Sequence, residues 1–282
     1  MKKLITMMLL FATLLTTLSV VSCGEEKIEA KIIDIALTQE EYAFGVAKDQ
    51  PELLEKVNEL IKEMKSTGTF DEICNHYFGD GTPEAVKSAK LDTSKDQLVV
   101  ATHAEFAPFE YRVGDSYYGI DMEIAALLAD ELGLELVIKD MEFKDVLDDV
   151  AYHGSDIVMS AMTVKEERKS YVTFSDPYYQ ASQKLIIKSD DKAFDGCKTA
   201  DDVLKKLQSY TMSTVVGYQA GTIGEMFVKS QGDYSKNNLL VTGMSYENGT
   251  HAVQAMLKGD IHYVIIDAAV ADRIVTSVNS AQ

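Results

Sequence analysis

The chain has 282 residues, of which 45 are acidic and 27 are basic, and its formal net charge at pH 7 is −18. Nucleic acid attracts proteins through basic surfaces, so this acidity disfavours a nucleic-acid partner. The three cysteines are too few to define a disulfide framework, and we interpret Cys74 and Cys197 as ordinary structural residues.

The N-terminus has the pattern of an export signal. Lys2 and Lys3 precede an almost uncharged apolar run over residues 4–21, which ends at Ser22 and Cys23. A basic start, an apolar centre and small residues at the end are typical of a signal peptide. A transmembrane anchor is the alternative, because the run approaches the ~20 residues that a spanning helix needs.

The residues Val-Val-Ser-Cys that end at Cys23 resemble a bacterial lipobox, in which the cysteine is lipidated and becomes the first mature residue. This resemblance predicts a lipoprotein signal peptide at 1–22 and a lipidated tether at 23–27. The acyl chains would anchor an exported protein at the membrane, in the periplasm or at the cell surface.

After the tether, short runs rich in β-branched residues alternate with segments of helical period. This alternation is typical of α/β architecture with mainly parallel strands. The first of these elements are strands at 31–37 and 42–47 and helices at 52–65 and 70–77. A polar, turn-rich stretch at 80–96 follows, and we interpret it as a linker.

Beyond residue 96 the alternation resumes in two sets, each large enough for a lobe. The first set predicts a parallel βαβ lobe from strands 98–102, 134–139 and 156–160 with helices 122–132 and 143–152, and a strand at 184–188 leads out into the second set. The second set predicts another lobe from strands 214–217, 239–242 and 263–266 with helices 201–207, 223–229, 248–257 and 268–275.

Polar residues cluster where predicted strands end, and ligands of open α/β sheets bind at the carboxyl ends of strands. Residues 102–110 and 160–168 follow strands of the first set. Residues 219–225 and Asp267 occupy the equivalent places in the second set. We therefore expect these segments to carry the chemistry of a cleft between the lobes.

Together these segments resemble the amino-acid-binding members of the type II periplasmic solute-binding proteins, the bacterial extracellular solute-binding proteins of family 3, which serve ABC importers. The motifs that carry the resemblance are Ala107-Pro108-Phe109-Glu110, residues 119–125, residues 159–168, residues 174–179, residues 219–222 and Asp267. The resemblance implies an α/β, two-lobed periplasmic-binding-protein-like II fold with the ligand cleft between the lobes. It also implies a monomer that captures a free amino acid and delivers it to an ABC transporter permease, with neither a cofactor nor a metal.

The order of the motifs departs from that of the family. Residues 42–79 are similar to the family's C-terminal section, which ordinarily follows the equivalent of Asp267. This order indicates a circular permutation, in which the linker at 80–96 joins the old termini. The predicted division is a second-lobe strand and hinge crossover at 28–41, the first lobe at 42–187, with its remainder after the linker at 97–187, and the second lobe at 188–282.

A zwitterionic amino acid needs a cation and donors for its carboxylate and an anion for its ammonium. Arg168 offers a planar fork that can hold a carboxylate in two parallel bonds, and Asp267 offers the anion. Taken alone, Arg168 could equally be a surface arginine, and Asp267 could be the N-cap of a helix. The matched motifs favour the binding roles.

The resemblance implies further ligand contacts from both lobes. Thr163 and Ser160 would add hydroxyl and backbone groups. Thr222 with Gly221, at the start of the next helix, would present amides from the opposite lobe. Met162 lies in the same motif as Thr163 and is included among the candidate binding residues.

Two aromatic residues match the walls between which the family's ligand side chain lies, Phe106 and Phe143. Each would supply a large apolar contact with little rotamer entropy to lose. Core packing is the alternative interpretation of both residues.

Ligand choice should depend on the distal pocket, where we expect His103, Glu105 and Gln219. Family members that take basic side chains often carry an acidic residue at the position of His103. Glu105 could restore an acidic partner if it turns inward. We prefer a polar or neutral amino acid as the ligand.

Two other functions remain open. A surface lipoprotein that senses an amino acid would need a partner other than a permease. An enzyme similar to periplasmic dehydratases would need a cleft glutamic acid as general acid, and Glu105 and Glu225 are the candidates. Because Asp267 suits an ammonium group, we predict that the protein is not an enzyme.

Overall fold

The computed structural model describes residues 27–281. The predicted signal peptide at 1–22, Cys23 and the C-terminal Gln282 lie outside these residues. The strands are β1 (Ala30–Ile33), β2 (Glu40–Tyr42), β3 (Gly45–Val46), β4 (Gln97–Thr102), β5 (Glu105–Phe106), β6 (Glu110–Val113), β7 (Ser116–Tyr118), β8 (Glu135–Asp140), β9 (Ile157–Val158), β10 (Thr173–Phe174), β11 (Tyr179–Ala181), β12 (Gln183–Lys188), β13 (Val215–Gln219), β14 (Thr242–Tyr246) and β15 (Tyr263–Asp267). The α-helices are α1 (Pro51–Thr67), α2 (Thr69–Phe78), α3 (Ile120–Leu132), α4 (Val146–Ala151), α5 (Ala200–Gln208), α6 (Ile223–Val228), α7 (Gly249–Lys258) and α8 (Ala268–Ser280).

Two five-stranded sheets form the two lobes. The first lobe contains the sheet β10-β3-β9-β4-β8, in which β4 runs parallel to β8 and β9 while β3 and β10 run antiparallel to their neighbours. The second lobe contains the sheet β1-β12-β15-β13-β14, in which β13 is parallel to β14 and β15 while β12 is antiparallel to β1 and β15. The two-lobed α/β prediction is confirmed. The expectation of mainly parallel strands holds for only one half of each sheet.

A two-stranded ribbon joins the lobes and explains the antiparallel strands. In this ribbon β2 pairs antiparallel with β11, so that Glu40 lies opposite Ala181 and Tyr42 opposite Tyr179. β2 leads from β1 into β3, and β11 leads from β10 into β12. Because β3 and β12 enter their sheets from this hinge, they run against the strands that end at the cleft.

The longest helix forms where the sequence predicts it. α1 begins at Pro51, whose fixed φ suits the first helical position, and ends at Gly68, which has a φ of 87°. Its buried residues recur at helical spacing and give one apolar face. These residues are Val57, Leu60, Ile61 and Met64.

Two local details differ from the sequence prediction. The strand expected at 239–242 is wrong, because β14 begins only at Thr242. A three-stranded antiparallel sheet of β5, β6 and β7 was not expected. These strands have two to four residues each, too few to give a periodic signal in the sequence.

The segment interpreted as a linker, 80–96, packs along the first lobe. Val86 is only 6% exposed and forms an isolated β-bridge with Tyr117. Further along, the backbone N–H of Ala89 donates to the carbonyl of Leu136 at 2.8 Å. The segment is therefore a fixed part of this lobe's surface.

Neither a membrane-spanning helix nor a disulfide is found within residues 27–281. None of the helices there is long and apolar enough to cross a bilayer. Cys74 and Cys197 are free thiols. Burial raises the pKa of the Cys74 thiol to about 12, so this thiol stays protonated at neutral pH.

Candidate functional site

A narrow cavity lies between the two lobes, at the ends of strands from both sheets. Its lining residues are Phe106, Phe143, Ser160, Ala161, Thr163 and Arg168 from the first lobe and Thr222, Ile223 and Asp267 from the second. This is where open α/β sheets place their ligands. Seven of the residues expected from the sequence therefore meet at one cavity.

Arg168 is the cation of this cavity and is only 5% exposed. Its Nη1 donates to the carbonyl of Thr163 at 2.9 Å, and its Nη2 donates to the carbonyl of Gly221, in the other lobe, at 3.0 Å. Burial lowers the pKa of Arg168, while the nearby carboxylates of Asp267 and Glu40 raise it. Both hydrogen-bond acceptors are neutral, so the guanidinium keeps a full charge for a ligand carboxylate.

Asp267 is the anion on the opposite side and is 4% exposed. The hydroxyl of Tyr42, in the hinge ribbon, donates to its Oδ1. Burial and the nearby Glu40 together raise the pKa of Asp267 to about 7, against the opposing effects of the Tyr42 hydrogen bond and the Arg168 charge. Asp267 occupies the N-cap position of α8, but its side chain makes no capping hydrogen bond to that helix.

Buried acids hold the loop that carries Ser160 and Thr163. Ala161 has a φ of 45°, and its backbone N–H donates to Asp121 Oδ2 at 2.8 Å. The Ser160 hydroxyl donates to Glu110 Oε1 at 2.8 Å. Burial raises the pKa of Asp121 to about 7. The loop is therefore fixed from within the first lobe before any ligand arrives.

The second-lobe wall differs in detail from the expectation. The Gly221 N–H donates to Glu225 Oε2 at 2.7 Å, and the Thr222 hydroxyl donates to the carbonyl of Gln219 at 2.8 Å. These two donors are therefore engaged within their own lobe. The Gly221 carbonyl instead accepts a hydrogen bond from Arg168 across the cleft.

The two aromatic walls both line the cavity. Phe106 is 6% exposed and packs within the core next to Phe109, with ring centroids 6.4 Å apart. Phe143 lies under Arg168, whose guanidinium carbon is 5.8 Å from the ring centroid. This distance allows a cation–π contact that orients the guanidinium.

The other candidates do not line the cavity. Met162 is 1% exposed, and its side chain packs in a first-lobe core cluster with Val146 and Val158. Glu105 does not turn into a pocket, because its Oε2 accepts from Asn248 Nδ2, in the other lobe, at 2.6 Å. This bond ties the two lobes together.

His103 and Gln219 are buried and carry polar atoms without partners among the described residues. His103 Nδ1 bonds the carbonyl of Met141 at 2.9 Å, while its Nε2 has no partner. Both amide atoms of Gln219 are unpaired, although the residue is only 1% exposed. Unpaired buried polar groups are rare, so these atoms are candidates for contact with a ligand side chain.

Two contacts between the lobes bracket these residues. One is the bond from Asn248 to Glu105, which is two residues beyond His103. The other is the close approach of Gly221, two residues beyond Gln219, to the ring of Phe143. His103 and Gln219 therefore each lie two residues from a contact with the opposite lobe.

Sequence reasoning missed the residues that the hinge contributes. Glu40, Tyr42 and Gln183 are buried beside Asp267 or Thr163, but they were not among the candidates. The available signal was the Glu-Glu-Tyr run at 40–42, since alternate residues of a strand point to the same face. That alternation places Glu40 and Tyr42 together.

Comparisons with known proteins agree with this architecture. The family model of bacterial extracellular solute-binding proteins, family 3, matches residues 98–271. The arginine-binding extracellular protein ArtP of Bacillus subtilis is 35% identical over 134 residues, which are 48% of each chain. The cyclohexadienyl dehydratase of Pseudomonas aeruginosa is 33% identical over 97 residues, which are 34% of this chain and 36% of the dehydratase.

A solved structure of an ancestral arginine-binding protein bound to arginine is 29% identical, with a TM-score of 0.55 over 65% of this chain and 75% of that one. The matched part spans about half or less of the two curated relatives. The family match covers more than half of this chain. The chain therefore belongs to the bacterial extracellular solute-binding proteins of family 3.

Proposed function

We propose that this protein captures a free amino acid between its lobes and delivers it to an ABC importer. The observation that carries the proposal is the pair Arg168 and Asp267, which line one cavity from opposite lobes. Their charges are opposite, and the hydrogen bonds that each makes are to neutral groups. They match the carboxylate and the ammonium of an amino acid.

Capture by closure of the lobes follows from this division of charge. A ligand that contacts both Arg168 and Asp267 binds the closed arrangement better than an open one, and so shifts the population toward it. Contacts between the lobes support the closed arrangement. Asn248 bonds Glu105 at 2.6 Å, and Lys165 pairs with Asp233 at 2.8 Å.

A polar or neutral amino acid suits the distal residues best. His103 Nε2 and the Gln219 amide offer hydrogen-bonding atoms that have no partner among the described residues, whereas Glu105 is engaged by Asn248. A basic amino acid is the second candidate, since Glu110 Oε2 is buried without a partner among the described residues and the named ligand of ArtP is arginine. Burial raises the pKa of Glu110 well above its ordinary value, which weakens its attraction for a cation.

Plain binding fits the cleft better than catalysis. The two candidate general acids are both engaged: Glu105 accepts from Asn248, and Glu225 accepts from the Gly221 N–H and from Lys229. A free general acid at the cavity would be needed for a dehydratase reaction. A sensory surface lipoprotein would use the same cleft and differs only in its partner.

We further propose that the protein is an exported monomer anchored by a lipid on Cys23, and that its chain is circularly permuted. The sequence predicts 28–41 and 188–282 for the second lobe and 42–187 for the first, but β12 (Gln183–Lys188) belongs to the second lobe's sheet, so we place the later crossing at the hinge strand β11 (Tyr179–Ala181). The permutation would separate two segments that are continuous in relatives, one that begins near residue 28 and one that ends near residue 279. Hydrogen bonds between these two segments support it. Asn279 Oδ1 accepts from the Ala30 N–H at 2.8 Å, and its Nδ2 donates to the Ala30 carbonyl at 2.9 Å.

Isothermal titration calorimetry of the protein without its signal peptide, against each free amino acid in turn, tests the function. We expect saturable one-to-one binding of at least one polar or neutral amino acid. Tight binding of lysine or arginine alone would contradict the preferred ligand class. Heat from none of the amino acids would contradict the proposed function.

A further inference from the structure

Glu40 is a buried acid that the proposed binding chemistry leaves without a role. It begins β2, in the hinge ribbon, and is 4% exposed. Its Oε1 accepts from the Thr38 hydroxyl at 2.5 Å. Its Oε2 accepts from the Thr163 hydroxyl at 3.2 Å and from Gln183 Nε2 at 3.3 Å. All three donors are neutral.

These contacts place Glu40 at the ligand site. Thr163 lines the cavity, so one hydroxyl separates the Glu40 carboxyl group from the ligand. Gln183 Nε2 donates to Glu40, and the nearby charge of Glu40 raises the pKa of Asp267. Two acids that share a site in this way cannot both ionise freely.

When the charges in the closed cleft are paired, the negative charge of Glu40 has no partner. A neutral amino acid would set its carboxylate against Arg168 and its ammonium against Asp267. One negative charge, on Glu40, would then remain buried without a partner, which is costly. A proton on Glu40 removes that charge.

The groups around Glu40 shift its pKa in both directions. Burial is the main cause that raises the pKa of Glu40 above its ordinary 4.5, while the hydrogen bonds from Thr38, Gln183 and Thr163 and the charge of Lys165 oppose the rise. The ammonium of Lys165 is bonded to Asp233 at 2.8 Å, so it is already engaged. The other groups whose charges act with that of Glu40 are Asp267, Arg168, Tyr42 and Tyr234.

We propose that Glu40 is a third ionisable residue of the ligand site and holds a proton when the lobes close on a neutral amino acid. The proposal rests on the proposed function, and it makes capture of such an amino acid a proton-coupled step. Glu40 acts through Thr163 and Gln183 and is therefore a positioning residue.

The sign of the pH effect follows from the direction of the shift. A carboxyl group whose pKa is higher in the closed, loaded protein takes up a proton on binding. Affinity is then greatest at acid pH and falls, by at most about tenfold per pH unit, as pH rises from the pKa of Glu40 in the open protein toward its higher pKa in the closed one. Asp267 contributes the opposite sign, because a ligand ammonium lowers its pKa.

Titration calorimetry with L-glutamine, in two buffers of different ionisation enthalpy between about pH 5 and pH 8, measures the proton count. We expect wild type to take up about one proton more per L-glutamine than Glu40→Gln, which mimics the protonated acid in shape. The variant should also lose the decline of affinity with rising pH. Glu41→Gln is the matched control, since Glu41 is exposed on the same strand and bonds Gln180 at 3.0 Å.

Equal proton counts for wild type and Glu40→Gln would overturn the proposal while leaving the proposed function intact. If L-glutamine gives no heat, the other neutral amino acids serve as probes in the same design. Binding of cationic amino acids alone would also overturn it, because the leftover charge would then have a ligand partner. A circular dichroism spectrum of each variant confirms that it is folded.

Discussion

The two sheets have the same plan but are assembled differently from the chain. In each, one strand runs parallel to both neighbours, β4 in the first lobe and β13 in the second, and one strand from the hinge runs antiparallel. The first sheet comes from one stretch between β3 and β10. The second combines β1 with strands that begin about 150 positions later, at β12. Contacts, rather than chain order, define the lobe.

The lobes also differ in the charge they bring to the cleft. The first lobe supplies the cation, Arg168, and the second supplies the anion, Asp267. Neither lobe alone offers both poles that an amino acid needs. Under the proposed function, this difference makes binding depend on the two lobes together, and substitutions that remove one charge at a time test it.

Removal of the first lobe's charge should have the largest effect. Arg168→Ala leaves the ligand carboxylate without its cation and leaves two carboxyl groups, Asp267 and Glu40, buried together. We expect a loss of about 3 kcal/mol or more, at least about a hundredfold in Kd, measured by calorimetry. Lys169→Ala, at an exposed neighbouring residue, is the control and should bind normally. Near wild-type affinity of Arg168→Ala in a folded protein would contradict the assigned site.

Removal of the second lobe's charge should have a smaller effect, because the shape is kept. Asp267→Asn keeps an acceptor for the Tyr42 hydroxyl but removes the anion for the ammonium. We expect a loss of about 2 kcal/mol, roughly thirtyfold in Kd. Asp272→Asn, an exposed acid in the same helix region, should change nothing. If both variants bound equally well, Asp267 would not contact the ligand.

The split assembly of the second lobe can be tested by stability alone. Asn279→Ala removes both hydrogen bonds to Ala30 and should lower the free energy of unfolding by about 1–2 kcal/mol, as measured by urea denaturation. Ligand affinity should not change. Asn58→Ala, which removes one exposed bond to the Asp176 N–H within the continuous first lobe, should cost less. A larger loss from Asn58→Ala would mean that the ends of the second lobe are not held by Asn279.

The elements predicted well from the sequence are those whose signals are local. α1 has its starting proline, its terminal glycine and its apolar face within one stretch, so it could be predicted without knowledge of what it packs against. The antiparallel pairing of β1 with β12 joins Ile33 to Leu185, and no local pattern encodes such a distant partner. The strands β5 to β7 were missed for a related reason, since pairing rather than periodicity defines them.

The candidate site divides in the same way. Arg168, Asp267 and the aromatic walls could be predicted, because each belongs to a motif that is complete within a few residues. Glu40 and Tyr42 could not be assigned roles, because their partners Thr163 and Asp267 lie more than 120 residues away in the chain. The Gly221 amide was misjudged because its bond to Glu225 is visible only once the helix turn is built.

The hinge ribbon has a consequence for the order of events. Tyr42 belongs to the ribbon itself and bonds Asp267, so this contact lies at the axis about which the lobes would rotate. Displacement in a rotation grows with distance from its axis. We therefore expect the Tyr42–Asp267 pair to persist when the lobes separate, while the bond from Arg168 to Gly221 breaks. An arriving amino acid would then find the anion for its ammonium held beside the hinge, and the guanidinium of Arg168 released from Gly221 for its carboxylate.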